Sequence, residues 1–233
     1  MKTRQVFLFC FTALTLFTKG SFGQQAKTLA WNTLQFPVRF SAKWELQNDI
    51  SYRMMGVSGS AYQYTFRTGI RRIINGNWTV ASGLAFFFTR TSFDKMDHEF
   101  GREFRLWQEG IKEFKLKKKL SLFNRFRMEE RFFAATSKRD KDFALRFRYR
   151  LAAIQTISKK WKVQLADEYM QQLAGGKFRF QQNRLGAAAI YVINNTAQLQ
   201  AGYIWSRLAG ATQHFITCTF LKTIIADGSG RKG

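Results

Sequence analysis

Apolar and polar residues alternate with a period of two along much of the chain. Trp44, Leu46, Asn48, Ile50 and Tyr52 alternate with Glu45, Gln47, Asp49, Ser51 and Arg53. Tyr62, Tyr64, Phe66, Thr68 and Ile70 alternate with Gln63, Thr65, Arg67, Gly69 and Arg71. The same phase recurs in Leu122, Asn124, Phe126, Met128 against Phe123, Arg125, Arg127, Glu129. It recurs again in Phe143, Leu145, Phe147, Tyr149, Leu151 against Ala144, Arg146, Arg148, Arg150. Successive side chains of a strand point to opposite faces, so each run predicts a strand with one apolar and one polar face. Eleven strands are read, near 29–36, 42–54, 60–72, 77–90, 100–115, 120–133, 142–155, 161–173, 178–192, 197–207 and 213–222. The first, around Trp31, is the weakest. Bacterial membrane barrels carry an even number of strands, so ten or twelve is the expected count.

The connections alternate as well. Short turns near 37–41, 74–77, 116–119, 158–160 and 193–196 are interleaved with longer polar loops near 55–60, 91–99, 134–141, 174–177 and 208–212. Short turns at one end and long loops at the other is the arrangement of a membrane barrel. The predicted fold is all-β: a closed antiparallel transmembrane β-barrel of about 10–12 strands, occupying residues 24–233 as one domain.

Alternation alone leaves two barrels open, because a soluble one with an apolar interior shows the same period. Three further features favour the lipid-facing version. First, residues 1–23 read as an export leader: Lys2 and Arg4, an apolar run from Val6 to Phe17, then Ser21-Phe22-Gly23, with cleavage near Gly23/Gln24. The apolar run falls short of the ~20 residues that span a bilayer, and no later stretch reaches that length. Second, aromatics stand near strand ends (Trp44, Trp78, Trp161, Trp205 and Tyr203), as interfacial girdles do. Third, the polar faces are dense in arginine. The expected location is the bacterial outer membrane.

Composition agrees with strands: 25 phenylalanines and a single proline, Pro37. Cys10 leaves with the leader, so the mature chain holds only Cys218 and no internal disulfide. Losing Lys2, Arg4 and Lys19 lowers the formal charge from +23 to +20. Export argues against nucleic acid as the counter-charge. Outer-membrane lipids and lipopolysaccharide are the expected partners, with the barrel-assembly machinery and a small anionic solute.

The arginines are the sharpest local feature. RFRMEERFF (125–133) and ALRFRYRL (144–151) are joined by one loop and are expected to pair. Candidate lumen-lining residues are Arg67, Arg71, Arg125, Arg127, Glu129, Arg131, Arg146, Arg148, Arg150, Glu168 and Arg184. Inward carboxylates are sought in Glu45, Asp49, Glu129 and either Asp167 or Glu168; these last two, being adjacent, cannot both face the lumen. Glu168 and Arg184 are expected to pair across the ladder. The arginines then form either a salt-bridged, hydrated plug or a wet lining that favours anions.

Enzyme motifs are lacking. His98 and His214 are too far apart in sequence to read as a metal site, and no cofactor motif is present. His214 with Ser206 has no supporting spacing. His98 with Asp94, Asp97 and Glu99 reads as a solvated loop before it reads as a cation site.

RFRMEERFF (125–133), FRYR (147–150), the DEY of 167–169 in WKVQLADEYM, QNRL (182–185), Trp31, Trp44 and the GY at 202–203 together resemble the domain of unknown function 2490 family of Bacteroidetes-type outer-membrane proteins. The resemblance covers nearly the whole mature chain. It implies a β-barrel in the outer membrane and no assigned activity. The functional expectation is a structural barrel or narrow anion-favouring pore. A membrane-barrel enzyme acting on lipid or lipopolysaccharide, and a soluble periplasmic lipid-binding barrel, are the alternatives.

Overall fold

The computed structural model describes residues 27–57, 59–93 and 98–226. The leader expected in residues 1–23, and Asp94 and Asp97 of the 91–99 loop, lie outside them. The described chain is all-β. Its strands are β1 (Lys27–Gln35), β2 (Val38–Arg39), β3 (Trp44–Met55), β4 (Ala61–Ile73), β5 (Trp78–Arg90), β6 (Phe100–Lys117), β7 (Leu120–Phe133), β8 (Asp142–Thr156), β9 (Trp161–Ala174), β10 (Lys177–Asn194), β11 (Ala197–Leu208), β12 (Ala211–Lys222) and β13 (Ile224–Ile225). From β3 to β12 each strand pairs antiparallel with the next.

β1 closes the sheet. It runs antiparallel to β3 from Ala30↔Met54 to Gln35↔Asp49. It runs parallel to β12 from Lys27↔Gln213 to Gln35↔Leu221. The wall therefore has eleven long strands, with β2 and β13 continuing β1 and β12 at one rim. Eleven matches the number of alternating segments in the sequence; the even number expected from the barrel class is not met. In a meander, successive strands reverse direction, so an odd count makes the first and last strands parallel. The closing pair is the departure from an antiparallel wall. It also puts Lys27 at the rim of the 56–60 loop and Ala226 at the opposite rim: the Gly56 N–H bonds to Thr28 O, while the Ala226 N–H bonds to Arg39 O.

Local chemistry explains the breaks. Pro37 has no N–H and interrupts β1 before β2; its carbonyl accepts from Ile224 at 2.8 Å. Two of the predicted longer loops are two-residue turns. Gly175 and Gly176 both take positive φ (55° and 71°), the geometry of a tight hairpin whose twist matches its strands. Gly210, at φ 92°, serves the β11–β12 turn.

The outer face is apolar. Phe66, Phe86, Phe104, Phe132 and Phe143 are register neighbours across β4–β8 and form one continuous row. Phe66 is 40% exposed and Phe143 45% exposed. Inside, small residues make room for one large ring. Trp107 of β6 is 1% exposed and packs with Ala81 and Ala85. A Cβ on Gly69 would lie 2.4 Å from its ring, and a Cβ on Gly83 2.7 Å from it and 2.1 Å from the Thr68 carbonyl. Gly83→Ala therefore forces backbone apart. It should lower stability by about 1–3 kcal/mol, read as a lower urea midpoint of the refolded barrel. An unchanged midpoint would contradict the close approach of β4, β5 and Trp107.

Candidate functional site in the barrel lumen

The inward faces of β6–β9 carry charge at successive positions. β6 contributes Glu103, Arg105 and Glu109; β7 contributes Arg125, Arg127, Glu129 and Arg131; β8 contributes Arg146, Arg148 and Arg150; β9 contributes Glu168. The register sets Glu109 opposite Arg127 and Glu129 opposite Arg146. It also sets Arg105 opposite Arg131, Arg127 opposite Arg148 and Arg125 opposite Arg150. Like charges directly opposite destabilise a ladder. Here most of these guanidiniums are turned onto intervening carboxylates.

Glu103 holds Arg105 at 2.5 Å and Arg131 at 2.6 Å. Glu129 accepts from Arg148 at 2.6 Å, from Arg105 at 3.3 Å and from Arg146, with Arg127 at 3.8 Å. Glu109 accepts from Arg127 at 2.5 Å, and Arg125 stands 3.8 Å away. Glu168 accepts from Arg125 at 2.5 Å and Arg148 at 2.8 Å. Sharing of arginines links the four carboxylates into one continuous network. Its centre is buried: Arg127 is 3% exposed and Glu129 2%. Buried ions are tolerated only when paired and hydrogen-bonded, so the network is a condition of the strands' closure.

The network surrounds two cavities. The larger, about 820 Å³, lies toward the rim of the 56–60, 91–99 and 134–141 loops; the smaller, about 290 Å³, lies toward the opposite rim. Asp49, Arg67, Arg125, Arg127, Arg150 and Gln164 line both and form the waist between them. Asp49 pairs with Arg67 at 2.6 Å, and Glu45 with Arg71 at 2.9 Å. Away from the rims, eleven arginines (53, 67, 71, 105, 125, 127, 131, 146, 148, 150 and 184) and six carboxylates (45, 49, 103, 109, 129 and 168) line the two cavities among the described residues. The excess is five positive charges, permanent at any ordinary pH because guanidinium does not titrate there.

The structure places all eleven residues singled out in the sequence along these cavities: Arg67, Arg71, Arg125, Arg127, Glu129, Arg131, Arg146, Arg148, Arg150, Glu168 and Arg184. Glu168 and Arg184 are register neighbours and pair at 3.9 Å through Glu168 Oε2, while Arg125 and Arg148 both bond to its Oε1. Asp167 is exposed on the outer face, where Asn183 Nδ2 donates to it at 2.7 Å. Sequence reasoning missed Glu103, Arg105 and Glu109. Their alternation was present, but Trp107 interrupts the polar phase of β6. Ser206 and His214 do not meet: Ser206 is buried and bonds to Gln182, whereas His214 pairs with the Tyr203 hydroxyl on the outside. Among the described residues, no group of three or more metal-ligating side chains occurs.

A family model described as a protein of unknown function, DUF2490, matches residues 28–215, from β1 into β12. No curated protein matches the chain. Glu129→Gln leaves four guanidiniums around a neutral amide. It should cost about 3–5 kcal/mol in urea unfolding, whereas Asp49→Asn, at the better-solvated Arg67 pair, should cost clearly less. Equal losses would argue against Glu129 as the centre of the network.

Proposed function

We propose, for a chain that belongs to the DUF2490 family of proteins of unknown function, that the barrel spans a bacterial outer membrane and offers a narrow, anion-favouring lumen. The observation that carries this reading is the inverted polarity of the wall: aromatic outside, arginine inside. A contiguous row of exposed phenylalanines is costly against water and natural against hydrocarbon. A closed ladder has no unpaired edge, which is what hydrocarbon demands of a spanning sheet.

Rim chemistry supports the same reading. Trp44, Trp78 and Trp161 open β3, β5 and β9, all at the rim of the 74–77 and 157–160 turns, and all are exposed. Arg72 lies 5.0 Å over Trp44 and Lys112 4.9 Å over Trp78. Aromatic rings beside cations suit a headgroup boundary, where phosphates supply the counter-charge. A soluble lipid-binding barrel fits less well, since an acyl chain would displace the hydration of five surplus charges. The membrane-enzyme reading has no Ser206–His214 pair to rest on, since Ser206 bonds to Gln182 and His214 to Tyr203. The shared ion pairs at the waist support a low conductance, and rings of arginine favour anions.

Two measurements test this. A purified outer-membrane fraction should contain the protein as a heat-modifiable band; recovery in the soluble fraction would sink the membrane reading. In planar bilayers, reversal potentials should show anion preference. Arg150 lines both cavities and takes part in none of the ion pairs above, so Arg150→Glu should reduce that preference without breaking the network. A preference unchanged by this substitution would dispose of the arginine lining as its cause.

A further inference from the structure

We propose that Trp31, Arg53 and Arg184 form a discrete binding site for a small oxyanion, a phosphate or carboxylate group, at the closing seam of the barrel; the site rests on the anion-favouring lumen proposed above. Three buried N–H donors there have no acceptor among the described residues: Trp31 Nε1, Arg53 Nε and Arg184 Nε. They share one place. The Arg53 guanidinium lies 3.8 Å over the Trp31 ring, and that of Arg184 lies 5.5 Å from the same ring. Phe215 completes the apolar side, edge-on to Trp31 at 5.8 Å and 5.4 and 6.0 Å from the two guanidiniums.

Neither of these two arginines reaches a carboxylate at hydrogen-bond distance among the described residues. Arg105, Arg127, Arg131, Arg146 and Arg148 each reach a carboxylate at hydrogen-bond distance. Arg53 enters no ion pair among the described residues. Arg184 reaches only Glu168, at 3.9 Å from Oε2, while Arg125 and Arg148 hold Oε1 of the same carboxylate at 2.5 and 2.8 Å. The three side chains line the larger cavity, and two like charges on one indole call for an anion between them. An oxyanion presents several acceptor atoms and can serve donors from different strands at once, and the planar guanidinium fork matches phosphate and carboxylate. A halide has a single centre and suits the arrangement less well. The donors come from β1, β3 and β10, so the site exists only once β1 has closed the sheet.

The test is calorimetric titration of the full refolded barrel with inorganic phosphate and with acetate, in a constant chloride background. One equivalent should bind per barrel, and the stronger probe identifies the source chemistry. Arg53→Gln or Arg184→Gln should weaken binding about tenfold or more, as loss of a charged hydrogen bond does. Arg53→Lys keeps the charge, loses the fork and should also weaken it, which covers a folding failure of the neutral variants. Trp31→Phe keeps the ring, removes one donor and should weaken it less. Arg71→Gln, in the smaller cavity, should leave affinity within about twofold. Affinity unchanged in the Arg53 and Arg184 variants would overturn the site, as would binding of neither probe. Equal weakening by Arg71→Gln would also overturn it while leaving an anion-favouring lumen intact; that broader reading falls only on the reversal potentials.

Discussion

The structure depends on closure of one backbone ladder. A sheet with edges leaves rows of N–H and C=O groups unpaired, and here β1 removes both edges by fitting between β3 and β12. Much else follows from that insertion. The odd strand count makes the seam parallel, sends the two ends of the described chain to opposite rims, and brings Trp31 against Arg53 and Phe215. Pro37 sits where β1 gives way to β2, the one break its missing N–H allows.

Closure creates an interior that must be filled. Eight strands make a barrel that side chains fill comfortably; eleven leave more space. The wider interior is spanned by arginines, whose length lets guanidiniums from one strand reach carboxylates on others. Arg125 of β7 reaches Glu168 of β9, and Arg131 of β7 reaches Gln172 of β9, both at 2.5 Å. Where the wall comes closest, on β4 and β5, Gly69, Gly83 and Ala85 leave room for Trp107 instead. The interior is thus part ionic network, part packed ring, and part cavity.

Ion-paired and surplus charge occupy the same lumen and are distinguishable by their partners. Glu103, Glu109, Glu129 and Glu168 bind most of the guanidiniums of β6–β8, and those ions hold the strands together. The surplus falls on residues such as Arg53 and Arg150, which enter no ion pair among the described residues, and on Arg184, held only at 3.9 Å by Glu168. An uncompensated buried cation costs folding free energy, so under the proposed reading its retention points to an anion in the lumen.

Period-two alternation marked the long strands and separated their apolar from their polar faces, because side-chain direction in a strand follows from backbone geometry alone; the even count expected of the barrel class was wrong by one. It also assigned Arg127 and Arg148 to the polar face. It read the 174–177 and 208–212 connections as loops, although Gly175, Gly176 and Gly210 make them tight turns. Trp107 masked the charged face of β6. Which guanidinium meets which carboxylate, that Asp167 faces out while Glu168 faces in, and that Trp31 lies beside Arg53 and Arg184 were decided only by tertiary structure. The physical reason is that these relations depend on register and on where the sheet closes, and a local period carries no information about either.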